Sequence, residues 1–560
     1  MARGPESIPS PERALKESGA PPARPNKRKP QARLRALGEP VLPVADWASL
    51  FGDLSRRPPA AAEQQAPVEW RVHDRTHLEF AIDYAVDGEA REYTWEAYFF
   101  FPESFRLNPG TYDKKAIYED LWSYVRYAVP AIPFWELGAR AEGAPLSRAE
   151  AALSAAAGKP DGSPESAAAM QRLRLFACLV RASGIEAMRD VERAIEGGDD
   201  AKVKQSTASF IATCDAVASG LREVLARAEE RGLPEETRTA ACWIDEDVSI
   251  VLETLSASLG VSLEKRAKTA PVLEELCEQL AAAAVKEARH RKTQAYDSVG
   301  SAEAGERQIE HLEFRRHVLK RFTSSVLWLS LEVREAAAWV VQTLYAVAAA
   351  AAMAFALAAS LQANPTSENF FRYAILVVVA YAVKDRMKAF LQNVFSSFIE
   401  RRFPDRKWSI RDRERRRWVG LVHERAAFLP FPDLPGEVLA RRRQTRAHAL
   451  EEQARPERVL WHQKTLSVAK APSGEAGADF PMLTEIFRLN LRRWLVHTDD
   501  PNRKMVFADP DDARVYSAVA RRVYNINVVY RLRKGDEATP FQRLRVIVSR
   551  KGVERIEPIA

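Results

Sequence analysis

The stretch AAAWVVQTLYAVAAAAAMAFALAASLQANPTS, residues 336–367, contains no charged residue, and a glutamate bounds it on either side. An α-helix needs about 20 apolar residues to cross about 30 Å of hydrocarbon. Soluble helices of this length usually carry a polar stripe, whereas only Gln342 and Thr343 lie well inside this one. The stretch predicts a transmembrane helix over about 336–361. A fully buried helix of a soluble protein is the alternative.

A second apolar segment follows a turn signal at residues 362–369. Residues 370–383 contain one charged residue, Arg372, and as a helix they would span only about 21 Å. The long stems of Arg372 and Lys384 can carry their charges toward the headgroups and so extend the tolerated span. We therefore predict a second transmembrane helix over about 369–386, antiparallel to the first, which leaves the membrane at its charged end.

Basic residues flank this predicted hairpin on both long sides. They are Arg315, Arg316, Lys320, Arg321 and Arg334 before it, and Lys384, Arg386, Lys388, Arg401 and Arg402 after it. The short connecting loop contains no Lys or Arg, so the positive-inside rule places both termini in the cytoplasm of a two-helix, multi-pass protein. The abundance of Ala and Arg is typical of a GC-rich bacterial genome, which indicates a bacterial inner membrane.

Helix packing is suggested by small residues on one face of the first helix: Ala348, Ala352, Ala356 and Ser360. The abundance of alanine is an equally good explanation. Apolar stripes continue outside the membrane at Leu312, Leu319, Phe322, Val326, Leu329 and Val333, and at Met387, Leu391, Val394 and Phe398. The pattern predicts one helical hairpin over 305–403 with a coiled-coil-like cytoplasmic stem. Alternatively, each stripe packs against a neighbouring domain.

A basic segment follows the second helix, with Trp408 and Trp418 interleaved. Anionic headgroups attract such a segment by about 1 kcal/mol per basic residue. We therefore predict that residues 404–455 form a juxtamembrane segment that binds anionic lipid headgroups. Nucleic acid is the alternative polyanion, and it is less favoured beside a membrane helix. The residues assigned to lipid are Arg401, Arg402, Arg406, Lys407, Arg411, Arg413, Arg415, Arg416 and Arg417.

The rest of the sequence predicts an α+β protein that is mainly helical. Residues 1–66 are rich in Pro, Ala and basic residues and should form a disordered tail. Residues 67–140 predict a small α+β domain with a β-hairpin, in which alternating residues 78–86 and 93–101 flank a turn at Asp87-Gly88. Residues 146–300 predict helices broken at Gly and Pro. Residues 456–560 predict a C-terminal α+β domain with an antiparallel sheet.

Further local patterns give more specific expectations. Apolar spacing predicts helices over residues 114–127 and 481–495.

The acidic run Asp245–Asp247 lacks a histidine or second carboxylate cluster nearby, so we expect a solvated helix turn there and not a metal site. The four cysteines form no CxxC pair, and we expect them to be buried, reduced thiols of a cytosolic domain. They are Cys178, Cys214, Cys242 and Cys277.

Sequence motifs for catalysis or ligand binding were not found: phosphate-binding glycine loops, nucleophile elbows, zinc helices and EF-hand spacings are absent from the sequence. His423-Glu424 lacks the second histidine of a zinc helix. We therefore predict no catalytic, cofactor-binding or metal-ligating residue. The expected function is a membrane-anchored scaffold, sensor or regulator that assembles as a homo-oligomer. The alternative is a membrane-anchored enzyme whose active site lies between the N- and C-terminal α+β parts.

Overall fold

The computed structural model describes most of the chain beyond the N-terminal tail. The described residues are 68–86, 91–267, 273–301, 303–335, 338–362, 370–443, 457–470, 480–512 and 514–559. About 53% of the described residues are helical, and they include three antiparallel sheets, so the prediction of a mixed α+β fold is confirmed. The predicted tail 1–66 and the loop between the predicted membrane helices lie outside the described residues.

Helices α2 to α6 occupy the predicted helical region and pack on one another around apolar side chains. The helices are α1 (Lys114–Asp120), α2 (Pro145–Ala156), α3 (Pro164–Gly197), α4 (Asp200–Glu230), α5 (Glu235–Ala267), α6 (Glu274–Thr293), α7 (Glu306–Ser324), α8 (Ala338–Gln362), α9 (Phe370–Arg402), α10 (Gly436–Arg443) and α11 (Arg492–Leu495). The predicted breaks are real. Ser163 caps the start of α3 by accepting a hydrogen bond from the Ser166 N–H, and Gly198 ends α3 in the left-handed conformation.

The strands pair antiparallel throughout the described part of the chain. They are β1 (Val68–Val72), β2 (His77–Ala85), β3 (Arg91–Pro102), β4 (Leu121–Tyr127), β5 (Ser330–Glu335), β6 (Arg406–Asp412), β7 (Arg417–Leu429), β8 (Glu457–Val468), β9 (Met482–Asn490), β10 (Asn502–Asp509), β11 (Arg514–Arg521), β12 (Tyr524–Lys534), β13 (Glu537–Ala538), β14 (Gln542–Ser549) and β15 (Gly552–Ile559). One sheet has the order β1-β2-β9-β4. A longer sheet has the order β15-β14-β12-β3-β8-β7-β6-β5, with β13 beside β12, and β10-β11 form a separate ribbon.

The predicted N- and C-terminal α+β domains share both sheets. Strand β3 lies between β8 and β12, and β2 pairs with β9 along its whole length. The predicted hairpin of residues 78–86 with 93–101 is therefore wrong, because β2 and β3 lie in different sheets. The two sheets pack face to face, since the Phe80 ring lies 5.7 Å from Trp95 and 6.2 Å from Tyr530 of the longer sheet. Residues 67–140 and 456–560 therefore build one folded unit and not two.

Two predicted helices are wrong because their residues form strands. Residues 481–495 form β9 and then the short α11, and residues 114–127 form α1 and then β4. Strand β9 lies between β2 and β4, and both of its faces are buried, including Leu483, Ile486 and Phe487. A strand that is buried on both faces loses the alternation that distinguishes it from a helix.

The predicted continuous stem over 305–403 is wrong on its incoming side. Helix α7 ends at Ser324, and β5 then pairs with β6 at the edge of the longer sheet. Leu319 is buried, and Val326 is buried in the main core, as the alternative interpretation required. Residues 329–334 alternate apolar and polar side chains, which is the spacing of a strand. On the outgoing side α9 does continue to Arg402.

Candidate membrane-binding site

Helices α8 and α9 pack antiparallel against each other through small side chains. Ala348 and Ala352 on α8 and Ala380 on α9 are buried. The Tyr345 hydroxyl lies 2.7 Å from the Ser396 Oγ, which joins the beginning of α8 to the end of α9. Small side chains let helix backbones approach closely, as the spacing of the alanines predicts.

The outer surface of this helix pair is apolar along α8 and along α9 as far as Val383, after which α9 exposes Asp385, Arg386 and Lys388. Its exposed large side chains are Trp339, Val347, Met353, Phe355, Leu357 and Leu361 on α8, and Phe371, Ile375, Leu376, Val378, Val379, Tyr381 and Val383 on α9. In the described chain, one helix is long and apolar enough to cross a membrane: Trp339–Leu361, of which only 11% is buried. A core helix of a soluble protein would be mostly buried, so this exposure is consistent with membrane association.

Polar side chains within this apolar helix bond to nearby protein groups. The Thr343 hydroxyl donates to the Trp339 carbonyl over 2.8 Å, and the Ser360 hydroxyl donates to the Ala356 carbonyl over 2.9 Å. Such local hydrogen bonds are needed where no water is available to satisfy a hydroxyl. These two hydroxyls are therefore compatible with a hydrocarbon environment.

The position of Lys384, at the charged end of the predicted second span, differs from the prediction. Counting antiparallel from the Tyr345–Ser396 contact brings Lys384 level with Leu357, near the end of the apolar part of α8. The prediction placed Lys384 where the second helix leaves the membrane on the cytoplasmic side, level with the start of α8 and not with its end. Within the described residues, only Trp339–Leu361 of α8 is long and apolar enough to cross a membrane. The second span over 369–386 therefore stays a prediction.

The basic segment after α9 belongs to the longer sheet and not to a separate juxtamembrane element. Arg406, Lys407 and Arg411 lie on β6, Arg417 begins β7, and Arg413, Arg415 and Arg416 lie in the turn between these strands. The part of the predicted segment from 444 to 455 lies outside the described residues. Arg401 and Arg402 end α9.

Four of the nine predicted lipid-binding residues contact protein groups, and one of them is Arg411, whose Nε lies 3.8 Å from the Glu332 carboxylate. The Arg406 guanidinium lies 4.2 Å from the Tyr118 ring centre, and the Arg417 guanidinium donates to the Tyr127 hydroxyl. Arg415 pairs with a buried aspartate, Asp412, and lies over an aromatic ring. The exposed members of the set are Arg402, Lys407, Arg411, Arg413 and Arg416.

A mainly basic face remains exposed beside the start of α8, and Glu332 on this face lies 3.8 Å from both Arg334 and Arg411. Lys407 on β6 pairs with Arg334 on β5, and Arg411 pairs with Trp418 on β7. Arg334, Lys407, Arg411 and Trp418 are all exposed, whereas Trp408 points to the other face and is buried. The predicted interleaving of basic and aromatic residues is therefore present for Trp418 and wrong for Trp408.

A second polar cluster lies buried between the two sheets. The Lys464 Nζ lies 2.6 Å from the Glu485 Oε1 and 3.7 Å from the Glu424 Oε1. The His462 Nε2 donates to the Glu424 carboxylate over 2.8 Å, and the Tyr84 hydroxyl donates to Glu485 over 2.8 Å. The side chains of Glu424, His462, Lys464 and Glu485 are only 1–2% exposed. We call these five residues the buried ionic cluster.

Electrostatics within the buried ionic cluster favour its charged forms. Burial alone would raise the pKa of Glu424, but the Lys464 charge and the His462 hydrogen bond outweigh it, so this pKa lies below its ordinary value. Burial would lower the pKa of Lys464, but Glu485 and Glu424 raise it above its ordinary value. The sequence contained a signal for this cluster. Glu424 is a charged residue that lies between Val422 and Ala426 on the same buried face of β7.

The acidic run Asp245–Asp247 is also buried, so the prediction of a solvated helix turn is wrong. Asp245 accepts a 2.7 Å hydrogen bond from the His290 Nε2, and Arg181 pairs with Asp247 at 2.7 Å. Glu246 pairs with Arg315 of α7 at 2.7 Å. Each carboxylate therefore binds a different helix, and the run connects α5 to α3, α6 and α7.

The cysteines only partly follow the prediction of buried thiols. Cys178 and Cys214 are buried, Cys277 is half-buried and Cys242 is exposed, and all four are free. Burial raises the pKa of Cys178 to about 12, so this thiol stays protonated.

Comparison with known proteins adds no assignment to this geometry, because no family model, no curated protein and no solved structure matches the chain.

Proposed function

We propose that this chain is an integral protein of a bacterial inner membrane, in which α8 and α9 form a two-helix hairpin and anchor a cytoplasmic α+β body. Its role is that of a scaffold, sensor or regulator. The observation that carries this proposal is the arrangement of side chains on α8, where small residues face α9 and large apolar residues face outward, and the same outward apolar surface continues on α9 as far as Val383. A helix pair in water has the opposite arrangement.

Orientation is inferred from charge. The chain segments before α8 and after α9 are rich in Lys and Arg, so the positive-inside rule places them, and both termini, in the cytoplasm. The exposed basic face formed by Arg334, Lys407 and Arg411 adjoins the start of α8, where lipid headgroups would lie. Anionic headgroups are therefore the polyanion that this face would bind.

The connection between helices and sheet supports a role in sensing or regulation. Strand β5 ends at Glu335 and α8 begins at Ala338, while α9 ends at Arg402 and β6 begins at Arg406. Glu335 pairs with Arg406 in the sheet, so both helices leave the body from one pair of hydrogen-bonded strands. A tilt or displacement of the helices would act directly on this edge of the sheet.

A matched pair of substitutions tests the anchor. Val347 on α8 and Val333 on β5 are the same residue type and are equally exposed, at 51% and 52%. In a soluble protein either valine could become arginine at a cost within about 0.5 kcal/mol. Near the middle of a membrane helix, Val347→Arg should cost about 3 kcal/mol, roughly a 100-fold shift in insertion.

The measurement is retention in the membrane fraction after an alkaline carbonate wash. We expect the unaltered chain and Val333→Arg to stay in the membrane pellet and Val347→Arg to be lost from it. Release of the unaltered chain by the wash, or full retention of Val347→Arg, would contradict the proposed anchor.

The enzyme alternative has one observation in its favour. A cleft of about 460 Å³ lies where the end of β3 meets the segment around β10 and β12, between the N- and C-terminal parts. Its carboxylates already have partners, since Asp499 pairs with Arg522 at 3.0 Å and Glu103 pairs with Arg458 at 2.6 Å. Arg522→Met removes the ion pair of Asp499 but keeps its 3.0 Å hydrogen bond from the Tyr524 hydroxyl, and it should leave any catalytic turnover unchanged if the cleft is not an active site.

A further inference from the structure

The ribbon formed by β10 and β11 exposes apolar side chains on both of its faces. They are Val506, Val515 and Val519 on one face and Met505, Phe507 and Tyr516 on the other. The Phe507 and Tyr516 rings stack with centres 5.9 Å apart but remain exposed. An isolated two-stranded ribbon is marginally stable in water, and an exposed apolar patch of this kind marks an interaction site.

The outer edge of β10 is available for pairing. Within the described residues β10 pairs with β11 alone, and Asn502 to Ala508 are exposed. An unpaired strand edge presents N–H and C=O groups that can pair with another chain. The remaining question is which chain the edge accepts.

Charge along the ribbon is divided between its two ends. The tip carries Asp509, Asp511 and Asp512 with Arg514 opposite Asp509, and is net acidic, whereas the base carries Arg503, Lys504 and Arg521. An antiparallel copy of the same ribbon would place each acidic tip beside a basic base. The acidic tip disfavours an anionic membrane surface as the occupant.

We infer that the β10 edge pairs antiparallel with β10 of a second copy of this chain, with the two-fold axis at Val506. This register places Arg503 opposite Asp509 of the second copy, twice by symmetry, and Met505 opposite Phe507. The β11 edge offers no such match, because its charged residues, Arg514 and Arg521, have the same sign. The pairing joins two ribbons into one four-stranded sheet.

Disulfide trapping tests the register in the full chain in detergent. The background carries Cys242→Ser and Cys277→Ser, since these two thiols are at least partly accessible, while the other two cysteines are buried. Val506→Cys places two thiols opposite each other at the axis, within the Cα separation that a disulfide spans. Val515→Cys is the control, because it is equally open to solvent but lies on β11.

We expect oxidation to trap a covalent dimer of Val506→Cys and at least ten times less dimer of Val515→Cys. Equal trapping of the two variants would overturn the proposed register. If Val506→Cys stays monomeric and is shielded from alkylation only by vesicles containing anionic lipid, the occupant is a membrane surface and the inference is wrong.

Charge reversal provides a second test that needs no cysteine. Arg503→Asp and Asp509→Arg should each weaken dimerisation about 10-fold, because each creates two like-charge pairs across the axis. The double variant should recover the affinity of the unaltered chain, as measured by sedimentation in detergent. If the double variant is no tighter than the single variants, Arg503 and Asp509 do not meet across the interface.

Discussion

Replacing Lys464 by methionine should cost a large part of the stability of the α+β body. The substitution keeps a side chain of similar volume but removes the charge that lies 2.6 Å from Glu485 and 3.7 Å from Glu424. Breaking one buried ion pair costs about 3–5 kcal/mol, because it leaves an uncompensated charge in a low dielectric. Domains have only about 5–15 kcal/mol of total stability, so the effect should be large.

The assay is urea unfolding in detergent, followed by tryptophan fluorescence. The control is Lys407→Met, which replaces an exposed lysine on β6 of the same sheet and should change the free energy of unfolding by less than about 0.5 kcal/mol. Adding Glu485→Gln to Lys464→Met should recover about 2 kcal/mol, because glutamine still accepts the Tyr84 hydrogen bond without a charge. An unfolding midpoint for Lys464→Met equal to that of Lys407→Met would refute the reasoning.

The pH dependence of this effect has a definite sign. Glu424 has a folded-state pKa below its ordinary value, so its stabilisation is complete above about pH 4.5 and is lost as the pH falls through the folded-state pKa. Lys464 has a raised pKa, so its stabilisation is present below about pH 10.4 and is lost as the pH rises through the folded-state pKa. In Lys464→Met, acid should no longer destabilise the cluster.

Two further substitutions test other parts of the body by the same unfolding assay. Arg181→Met should cost about 3–5 kcal/mol, because it leaves the buried Asp247 without its 2.7 Å partner, and a loss below 1 kcal/mol would contradict this. Gly552→Ala should cost about 3 kcal/mol or more, because the added Cβ would lie 1.8 Å from the Arg75 carbonyl oxygen, whereas Gly158→Ala, with no atom within 4 Å, should cost about 1 kcal/mol.

The helical part of the fold could be predicted well from the sequence. The helix breaks around Ser163 and Gly198 are local events, set by capping side chains and by a left-handed glycine. The apolar helix α8 could be predicted for a similar reason, because its length and composition can be read from one continuous segment. These features need no knowledge of distant residues.

The sheets could be predicted only in part, because their strands find partners far away in the chain. Strand β9 contains buried Thr484 and Glu485 together with apolar residues, and these polar groups are satisfied by Asp83 and Lys464. The local sequence does not show that these polar residues have distant partners. Only the apolar spacing of β9 was therefore visible, and it is also typical of a helix. For the same reason the buried ionic cluster was missed, since its members come from β2, β7, β8 and β9.

The sequence could predict which segment forms the candidate membrane site, but not how its two helices pack against each other. Composition identified α8, yet the Tyr345–Ser396 contact that sets the helix register depends on side chains from two separate helices. The lipid-binding set was similarly over-assigned, because charge density does not reveal that Arg406 stacks on Tyr118.

The place of β3 in the longer sheet has a consequence for biosynthesis. Both neighbours of β3 are translated much later, because β8 begins at Glu457, more than 350 residues after β3 ends at Pro102. At ribosomal speeds of about 5–20 residues per second, β3 waits roughly 20–70 s for its first partner. During that interval α8 and α9 emerge from the ribosome, so membrane targeting would precede closure of the sheet. A nascent chain with aromatic residues such as Trp95 and Phe99 still uncovered would therefore depend on chaperones until its C-terminal strands arrive.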